Sequence, residues 1–190
     1  MEKIYLSKHQ KKANLLNAAI VFEDEASFRQ DATLHATWSR RGNTPIVHTA
    51  SNRNSVKVFG CVEIKNAKFM YQFADKKFNA SSYIHFLESV LARKFYPNPV
   101  IYIQDNASYH KDREVWAWFS ENSHWLHVRN LPPYCPELNA TETIWHYTRM
   151  NGIHNQYFDS ADKIVLNLEK VFFGIRKNPK SIAGYLRPFL

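Results

Sequence analysis

The sequence predicts a mixed α/β fold, in which a single sheet contains both antiparallel and parallel strands. Segments with the two-residue period of a half-buried strand lie in the first half of the chain, where two of them are separated by a short polar break. In the second half, short continuous apolar runs alternate with segments whose apolar residues recur at helical spacing. Strands and a hairpin followed by alternating helices and strands form the element order of a mixed sheet flanked by helices.

Four strands are predicted in the first part of the chain. The first covers residues 16–22, an apolar run rich at its end in Ile, Val and Phe, and it places the acidic residues 23–25 at its carboxyl end. A short second strand is predicted over residues 35–38. Apolar and polar residues alternate over 56–64, and the pattern is repeated over 69–73 after a break, which predicts an antiparallel hairpin.

Helices and parallel strands are predicted in the rest of the chain. Residues 83–91 have apolar side chains at helical spacing, which predicts a helix. The continuous apolar run 100–103 predicts a strand that is buried on both faces and ends just before Asp105. The remaining predicted elements are a helix around 115–119, a strand at 125–128, a helix that begins after Asn139 and a long helix over 164–175.

Composition and charge limit the kinds of protein this can be. The chain has 190 residues and only two cysteines, too few for a disulfide framework. No apolar run approaches the ~20 residues of a membrane span, and the lysine-rich N-terminal segment does not resemble a secretory signal, so we expect an intracellular protein. Residues 1–14 are predicted to be a basic tail or the end of a linker, and residues 15–190 a single domain.

Three carboxylates are candidates for a metal site. Parallel strands joined by a helix end at the same edge of a sheet, so Asp24 and Asp105 are expected to lie close together, and Glu142 can join them from the first turn of its helix. Oxygen ligands select hard cations such as Mg²⁺ or Mn²⁺. Two such ions support in-line attack on a phosphodiester. A chain with 25 basic and 17 acidic residues and a net charge of +8 also favours polyanionic partners.

Each of these acidic residues also has a simpler interpretation. Asp24 lies between Glu23 and Glu25, which should face the other side of the strand, and periodicity alone does not select among the three. Asp105 is suited to a turn in which its side chain satisfies backbone amides. Glu142 is suited to a capping box with Asn139, three residues earlier.

Three blocks of the sequence resemble the catalytic domain of IS630/Tc1/mariner superfamily transposases. The blocks are VFEDEASF at 21–28, IQDNASYH at 103–110 and LPPYCPELNATE at 131–142, and the likeness covers nearly the whole chain. The order of the blocks, with a long interval before the second acid and a short one before the third, is typical of this superfamily. Cys135 stands where Ser is common and Ala140 where Pro is common, but neither change removes a metal ligand.

The resemblance implies a fold, a site and an activity. The fold would be RNase H-like, with a mixed five-stranded sheet flanked by helices, and the domain at 15–190 would be a DDE catalytic domain. The family's Asp, Asp, Glu triad maps onto Asp24, Asp105 and Glu142, which would bind two Mg²⁺ or Mn²⁺ ions. The enzyme would cut DNA at transposon ends and join the 3′-hydroxyl to target DNA at TA dinucleotides, as a homodimer. It would act in the cytoplasm at the nucleoid of a bacterium, or in the nucleus of a eukaryote.

Further residues are candidates for contact with nucleic acid. Trp38, Arg40 and Arg41 precede a glycine turn and would follow phosphates or insert between bases, with packing of Trp38 on the sheet as the alternative. Asn106 and His110 follow Asp105 closely, and they would contact phosphate or orient a metal-bound water.

The family resemblance leaves other functions open. Full-length family members carry helix-turn-helix modules, and none fits before Leu15, so the chain is expected to be a catalytic fragment, the second product of a split reading frame or a remnant. A separate helix-turn-helix chain is therefore an expected partner. The alternative functions are an RNase H-like nuclease without strand transfer and a DNA-binding remnant without enzymatic activity.

Overall fold

A five-stranded mixed sheet forms the centre of the computed structural model, which describes residues 2–31, 34–48 and 54–190. The strand order is β3-β2-β1-β4-β5. Strand β1 pairs antiparallel with β2 and parallel with β4, while β2 pairs antiparallel with β3 and β4 pairs parallel with β5. The strands are β1 Ala19–Arg29, β2 Ser55–Glu63, β3 Lys68–Ala74, β4 Val100–Gln104 and β5 Leu126–Asn130. The predicted mixed α/β sheet and its hairpin are confirmed.

Helices pack against both faces of this sheet. They are α1 Glu2–Leu16, α2 Ala80–Phe86, α3 Arg93–Phe95, α4 Arg113–Glu121, α5 Ala140–Gly152, α6 Ala161–Lys177 and α7 Lys180–Leu186. A π-helical turn, Leu87–Ala92, joins α2 to α3, and short 3₁₀ turns occur at Ser108–Lys111, Pro136–Leu138 and Arg187–Phe189. The helices predicted around 83–91, 115–119 and 164–175 and after Asn139 are all present. No helix in the described ranges is both long and apolar enough to cross a bilayer.

Alternate residues of the central strands contribute to two separate cores. Phe22 packs into a cluster that includes Trp145 of α5 and Phe172 of α6. Its neighbour Val21 points to the other face, into a cluster that includes Tyr83 of α2. The sheet is therefore covered on both faces, as expected for its parallel strands, and α5 lies directly beside β1.

The N-terminal segment differs from its prediction. Residues 1–14 were expected to be a tail, but α1 covers most of them, and Leu6 and Ala13 pack against the core on the α5 side of the sheet. Gln10 Nε2 also donates a hydrogen bond to the carbonyl of Phe189, 3.1 Å away. Few of the α1 side chains that the structure describes touch the core, and the low apolar content of this segment gave no helical signal.

Two of the predicted strands also need correction. Strand β1 begins at Ala19 and continues to Arg29, because β2 keeps pairing with it beyond the apolar run, up to Arg29 opposite Ser55. The acidic residues 23–25 therefore lie inside β1 rather than after it. Residues 35–38 form no strand; they have no regular secondary structure and are all exposed.

Candidate active site

The sheet register brings Asp24 and Asp105 together. The last parallel pair between β1 and β4 joins Phe22 to Ile103, and each aspartate follows its member of that pair by two residues. The strands separate here, because β4 ends at Gln104 while β1 continues along β2. Oxygens of Asp24, Asp105 and Glu25 lie within 4.8 Å of one another. The predicted meeting of the two aspartates at one sheet edge is therefore present in the structure.

Glu142 lines the same cavity from the first turn of α5, outside the group of oxygens that lie within 4.8 Å of one another. Asn139 caps this helix: its side chain accepts a hydrogen bond from the Thr141 N–H at 3.1 Å, and its Nδ2 donates to the Glu23 carbonyl at 2.9 Å. The second bond fastens the start of α5 to β1. The Asn139 N–H donates to the Pro136 carbonyl, so the partner predicted for a capping-box glutamate is already engaged, and the Glu142 carboxylate faces the cavity.

The three acids line a single open cavity of about 540 Å³. Its opposite wall is the proline-rich loop that links β5 to α5. Asn106 Nδ2 donates to the Leu131 carbonyl at 2.7 Å and holds the beginning of this loop. The cavity is lined by Asp24, Asp105, Glu142, Asn106, Ala107, Lys111, Asn139 and the loop residues 131–136. One cation, Lys111, thus faces three carboxylates and leaves an excess of negative charge.

Asp24 is the most strongly perturbed of the three acids. Its side chain is buried, with the residue 7% exposed. Burial, together with the nearby negative charges of Glu142, Glu25 and Asp105, raises the pKa of Asp24 to about 8 from 3.8. A divalent cation among these oxygens would replace the proton and remove the repulsion.

An indole holds the Asp24 carboxylate in place. Trp145 Nε1 donates a hydrogen bond to Asp24 Oδ2 at 3.1 Å, and the Trp145 side chain is fully buried. The indole fits because Gly60, the register partner of Asp24 on β2, has no side chain. A Cβ atom at Gly60 would lie 2.7 Å from Trp145 Cζ2 and closer still to Cη2.

A buried histidine holds Asp105 in a different way. His110 Nδ1 lies 3.2 Å from Asp105 Oδ1, and its Nε2 lies 3.1 Å from Glu25 Oε1. Burial alone would lower the pKa of His110, but the hydrogen bonds with Asp105 and Glu25 raise it to about 10. Although burial would raise the pKa of Asp105, the hydrogen bonds from His110 and from the Ala107 N–H lower it. The imidazolium therefore keeps Asp105 ionised.

Glu23 completes this buried charge network. It is fully buried, its Oε2 lies 3.8 Å from His110 Nε2, and neither of its carboxylate oxygens accepts a hydrogen bond from the described residues. Burial, with the nearby Glu25 charge, raises the pKa of Glu23 well above its ordinary value. Glu23 and Glu25 contact His110 on one side of β1, whereas Asp24 contacts Trp145 on the other, as strand alternation predicted.

Of the predicted DNA contacts, His110 needs correction. It was expected to contact phosphate or to orient a metal-bound water, but it is only 1% exposed and its ring is engaged by Asp105 and Glu25. A phosphate cannot reach a ring in this position, and His110 acts through the carboxylates. Asn106 lines the cavity and also secures the proline-rich loop, so its contact with nucleic acid stays a prediction.

The predicted contacts in the loop after β1 are accessible to a ligand. Trp38 is fully exposed, which is inconsistent with the alternative that it packs on the sheet. Arg40 and Arg41 are also exposed, and the Asn43 N–H donates to the Arg40 carbonyl at 2.9 Å to close the glycine turn. Their contact with nucleic acid stays a prediction.

Several residues in and around the cavity were missed by the sequence reasoning. Trp145 follows Glu142 by three residues, a spacing that places both on one face of α5, and this signal was available. Lys111 directly follows His110, so the second sequence block could have indicated it. The role of Gly60 depends on the β1–β2 register and had no local signal.

The site suits a divalent metal ion. Its donors are carboxylate oxygens from β1, from the end of β4 and from α5, the ligand type of Mg²⁺ and Mn²⁺. The buried like charges indicate that the arrangement is incomplete without a counter-ion. Asp24, Asp105 and Glu142, with Glu25 beside them, are the residues that would hold it.

The match to a family model identifies the class of protein. Residues 19–165 match the DDE superfamily endonucleases. Because this match covers most of the chain, the chain belongs to that superfamily. The match includes all three acids of the cavity. No protein among the curated sequences matches this chain significantly.

Solved structures with the same fold include those of the Mos1 mariner transposase. The Mos1 catalytic domain superposes with a TM-score of 0.57 at 16% identity, covering 99% of this chain and 89% of that one. The mariner Mos1 paired end complex with Mg gives a TM-score of 0.66 at 22% identity, covering 99% of this chain and 56% of that one. The Mos1 strand transfer complex gives 0.61 at 19% identity.

These comparisons confirm two of the predictions. The fold is RNase H-like, as in the Mos1 catalytic domain, and the resemblance to a Tc1/mariner-type DDE catalytic domain is confirmed. The chain spans 56–60% of the Mos1 chains in five such complexes, so it corresponds to a part of those proteins.

Proposed function

We propose that this chain is the catalytic domain of a transposase that cuts DNA at transposon ends and joins the freed 3′-hydroxyl to target DNA. The observation that carries the proposal is the convergence of Asp24, Asp105 and Glu142 on one cavity. Membership of the DDE endonuclease superfamily and the fold shared with Mos1 complexes support it. The net charge of +8 suits a polyanionic substrate.

The residues of the chain have distinct roles in this proposal. Asp24, Asp105 and Glu142 hold the divalent cations, with Glu25 beside them. Two Mg²⁺ or Mn²⁺ ions would there supply activation of the attacking hydroxyl and stabilisation of the leaving oxygen. Trp145 and His110 keep Asp24 and Asp105 in position, and Lys111 places a positive charge where a phosphate enters. The loop with Trp38, Arg40 and Arg41 contacts the DNA backbone and bases, and Asn106 contacts the strand inside the cavity.

The assembly and the location of the enzyme are part of the same proposal. A homodimer would hold two transposon ends, and a separate helix-turn-helix chain would supply recognition of the terminal repeats. Insertion would occur at TA dinucleotides. The enzyme would act at the nucleoid in the cytoplasm of a bacterium or in the nucleus of a eukaryote.

The test is a cleavage and joining assay. The chain is incubated with Mn²⁺, an end-labelled DNA duplex and supercoiled plasmid, beside an Asp105→Asn variant and an Asp75→Asn control, since Asp75 is exposed and distant in sequence from the three acids. We expect cut and plasmid-joined products from the chain and from the control, and none from Asp105→Asn. Cleavage without joined products would favour an RNase H-like nuclease without strand transfer. DNA binding that does not depend on Mn²⁺, without any cleavage, would favour a DNA-binding remnant. Cleavage unchanged in Asp105→Asn would refute the assigned site.

A further inference from the structure

Basic side chains from α1 and β5 meet at one edge of the sheet. Strand β5 is an edge strand, and its Leu126 and Val128 pack into the core on the α4 side. The alternate residues His127 and Arg129 therefore point to the opposite face, where α1 packs. Lys8 and Lys12 are one helical turn apart on α1. We call Lys8, Lys12, His127 and Arg129 the β5-edge strip.

Electrostatic effects show that these groups lie close to one another. Burial and the Arg129 charge lower the pKa of Lys12. Burial, then Lys12 and Arg129, lower the pKa of His127. His9 beneath the strip responds in the same way: burial, then Arg129, Lys8 and Lys12, lower its pKa. The positive charges of Lys8, Lys12 and Arg129 therefore lie close enough to repel one another.

No acidic partner neutralises the strip. Among the side chains that the structure describes, the salt bridges involve Arg29 and His110 but neither lysine of the strip nor Arg129. Lys8 is exposed, while Lys12, His127 and Arg129 are half-buried. Lys8, Lys12 and Arg129 form no salt bridge within the described part of the chain and repel one another. This arrangement suits a polyanion, which would remove the repulsion on binding.

The strip is joined rigidly to the active-site cavity. Strand β5 ends at Asn130, and the next residue, Leu131, lines the cavity. The Leu131 N–H donates to the Gln104 carbonyl at 2.8 Å, and its carbonyl accepts from Asn106 Nδ2. Arg129 is therefore two residues from the cavity wall, and a strand that leaves the cavity at this side meets the strip first.

A groove also borders β5 on the other face of the sheet. It has a volume of about 360 Å³ and lies between β5 and α4, and His127 and Arg129 are among the residues that line it. Trp116, a half-exposed indole, lines it from α4. Because this groove lies on the face opposite α1, it does not contain Lys8 or Lys12, and the outer edge of β5 separates it from them.

We propose that the β5-edge strip binds the phosphodiester backbone of the DNA that flanks the cleavage site. The strip would hold successive phosphates of the duplex next to the bond in the cavity and so fix the direction in which the DNA leaves. This inference rests on the proposed function for the identity of the substrate, but it concerns binding and not cleavage.

The experiment measures DNA binding in the absence of cleavage. In an Asp105→Asn background without divalent metal, binding of a labelled duplex is followed by fluorescence anisotropy from 50 to 300 mM KCl, roughly the range over which counterion release is resolved. The test variant carries Lys8→Gln, Lys12→Gln and Arg129→Gln. The matched control carries Lys163→Gln, Lys170→Gln and Lys177→Gln, which removes the same charge from exposed positions on α6.

The expected result is a lower salt dependence in the test variant only. Each lost phosphate contact reduces the slope of log K against log[salt] by about 0.9, so the strip variant should lose about 2 to 3 and the control less than 1. Urea unfolding of both variants confirms that they are folded. Equal slopes in the two variants would overturn the inference. Cleavage by the chain with an unaltered strip would show that the proposed function survives that result, whereas absence of both binding and cleavage would refute both.

Discussion

Gly60→Ala should weaken metal binding in the active-site cavity, although Gly60 does not line that cavity. The added methyl group would lie 2.7 Å from Trp145 Cζ2, closer still to Cη2, and 3.1 Å from Phe69 Cε2. Carbon atoms pack at about 3.5–4.0 Å, so the indole must move by roughly 1 Å. The Trp145 Nε1 to Asp24 Oδ2 distance of 3.1 Å would then increase to about 4 Å, beyond hydrogen-bond range.

Two consequences of this displacement can be measured. Overpacking of a core with rigid aromatic neighbours costs about 1–3 kcal/mol of unfolding free energy. Loss of the N–H donor removes a bond to the ionised form of Asp24, worth about 1.5–3 kcal/mol, and raises its pKa further. A cation must then displace a more tightly held proton, so the Mn²⁺ concentration for half-maximal cleavage should rise roughly tenfold, most strongly at low pH.

A double-mutant cycle with Trp145→Phe tests the reasoning. Trp145→Phe alone removes the same N–H without crowding, so it should raise the Mn²⁺ requirement to a similar degree. In that background the smaller ring leaves room for the methyl group, and Gly60→Ala should cost less, with a coupling of about 0.5–3 kcal/mol. Additive effects of the two substitutions, measured by urea unfolding and by Mn²⁺ titration, would refute the steric argument.

Other predictions concern the charges around the cavity. Because the pKa of Asp24 is raised to about 8, the folded state keeps a proton that the unfolded state loses from about pH 4 upwards. Metal-free stability should therefore fall between about pH 4 and pH 8. Asp24→Asn should make that decline smaller in urea titrations, while the part that comes from the raised pKa of Glu23 stays. His110, with its pKa raised to about 10, stabilises the fold fully below about pH 6.5 and loses this effect towards pH 10. His110→Gln should therefore cost about 3–5 kcal/mol at pH 6 and less at pH 10, and a constant cost would contradict the ion-pair assignment. Asn139→Ala should cost about 1–3 kcal/mol by calorimetry and slow cleavage, whereas unchanged cleavage would show that the bond to Glu23 does not position α5.

The acidic triad was predictable because it depends on topology more than on detailed packing. The run 100–103 is apolar on both faces, so it had to be an interior strand, and its end located Asp105. The parallel pairing of β1 with β4 brings residues 23–25 beside it, and the family resemblance selected Asp24 among the three. Block spacing and the proline-rich loop identified Glu142, and the family match covers all three residues.

The supporting residues were not predictable from local sequence. The indole of Trp145 reads as an ordinary core side chain at helical spacing, and only the β1–β2 register shows that Gly60 opens space for it. His110 reads as a surface histidine near a strand end. It is buried because the 3₁₀ turn Ser108–Lys111 folds it back onto Glu25. This contact joins residues far apart in the sequence, so the spacing of apolar residues could not predict it.

The two aspartates of the cavity are held in opposite protonation states by these supporting residues. His110 lowers the pKa of Asp105, whereas burial raises the pKa of Asp24, whose donors, the Trp145 indole N–H and the Glu25 backbone N–H, are neutral. Asp105 is therefore ionised at neutral pH and available to a cation, while Asp24 must release a proton when a cation binds. Because metal binding is then linked to proton release, metal affinity rises with pH towards about 8. The neutral Trp145 N–H beside Asp24 and the cationic His110 beside Asp105 thus allow three acidic side chains to line one cavity, because only one of the two aspartates is charged before a cation binds.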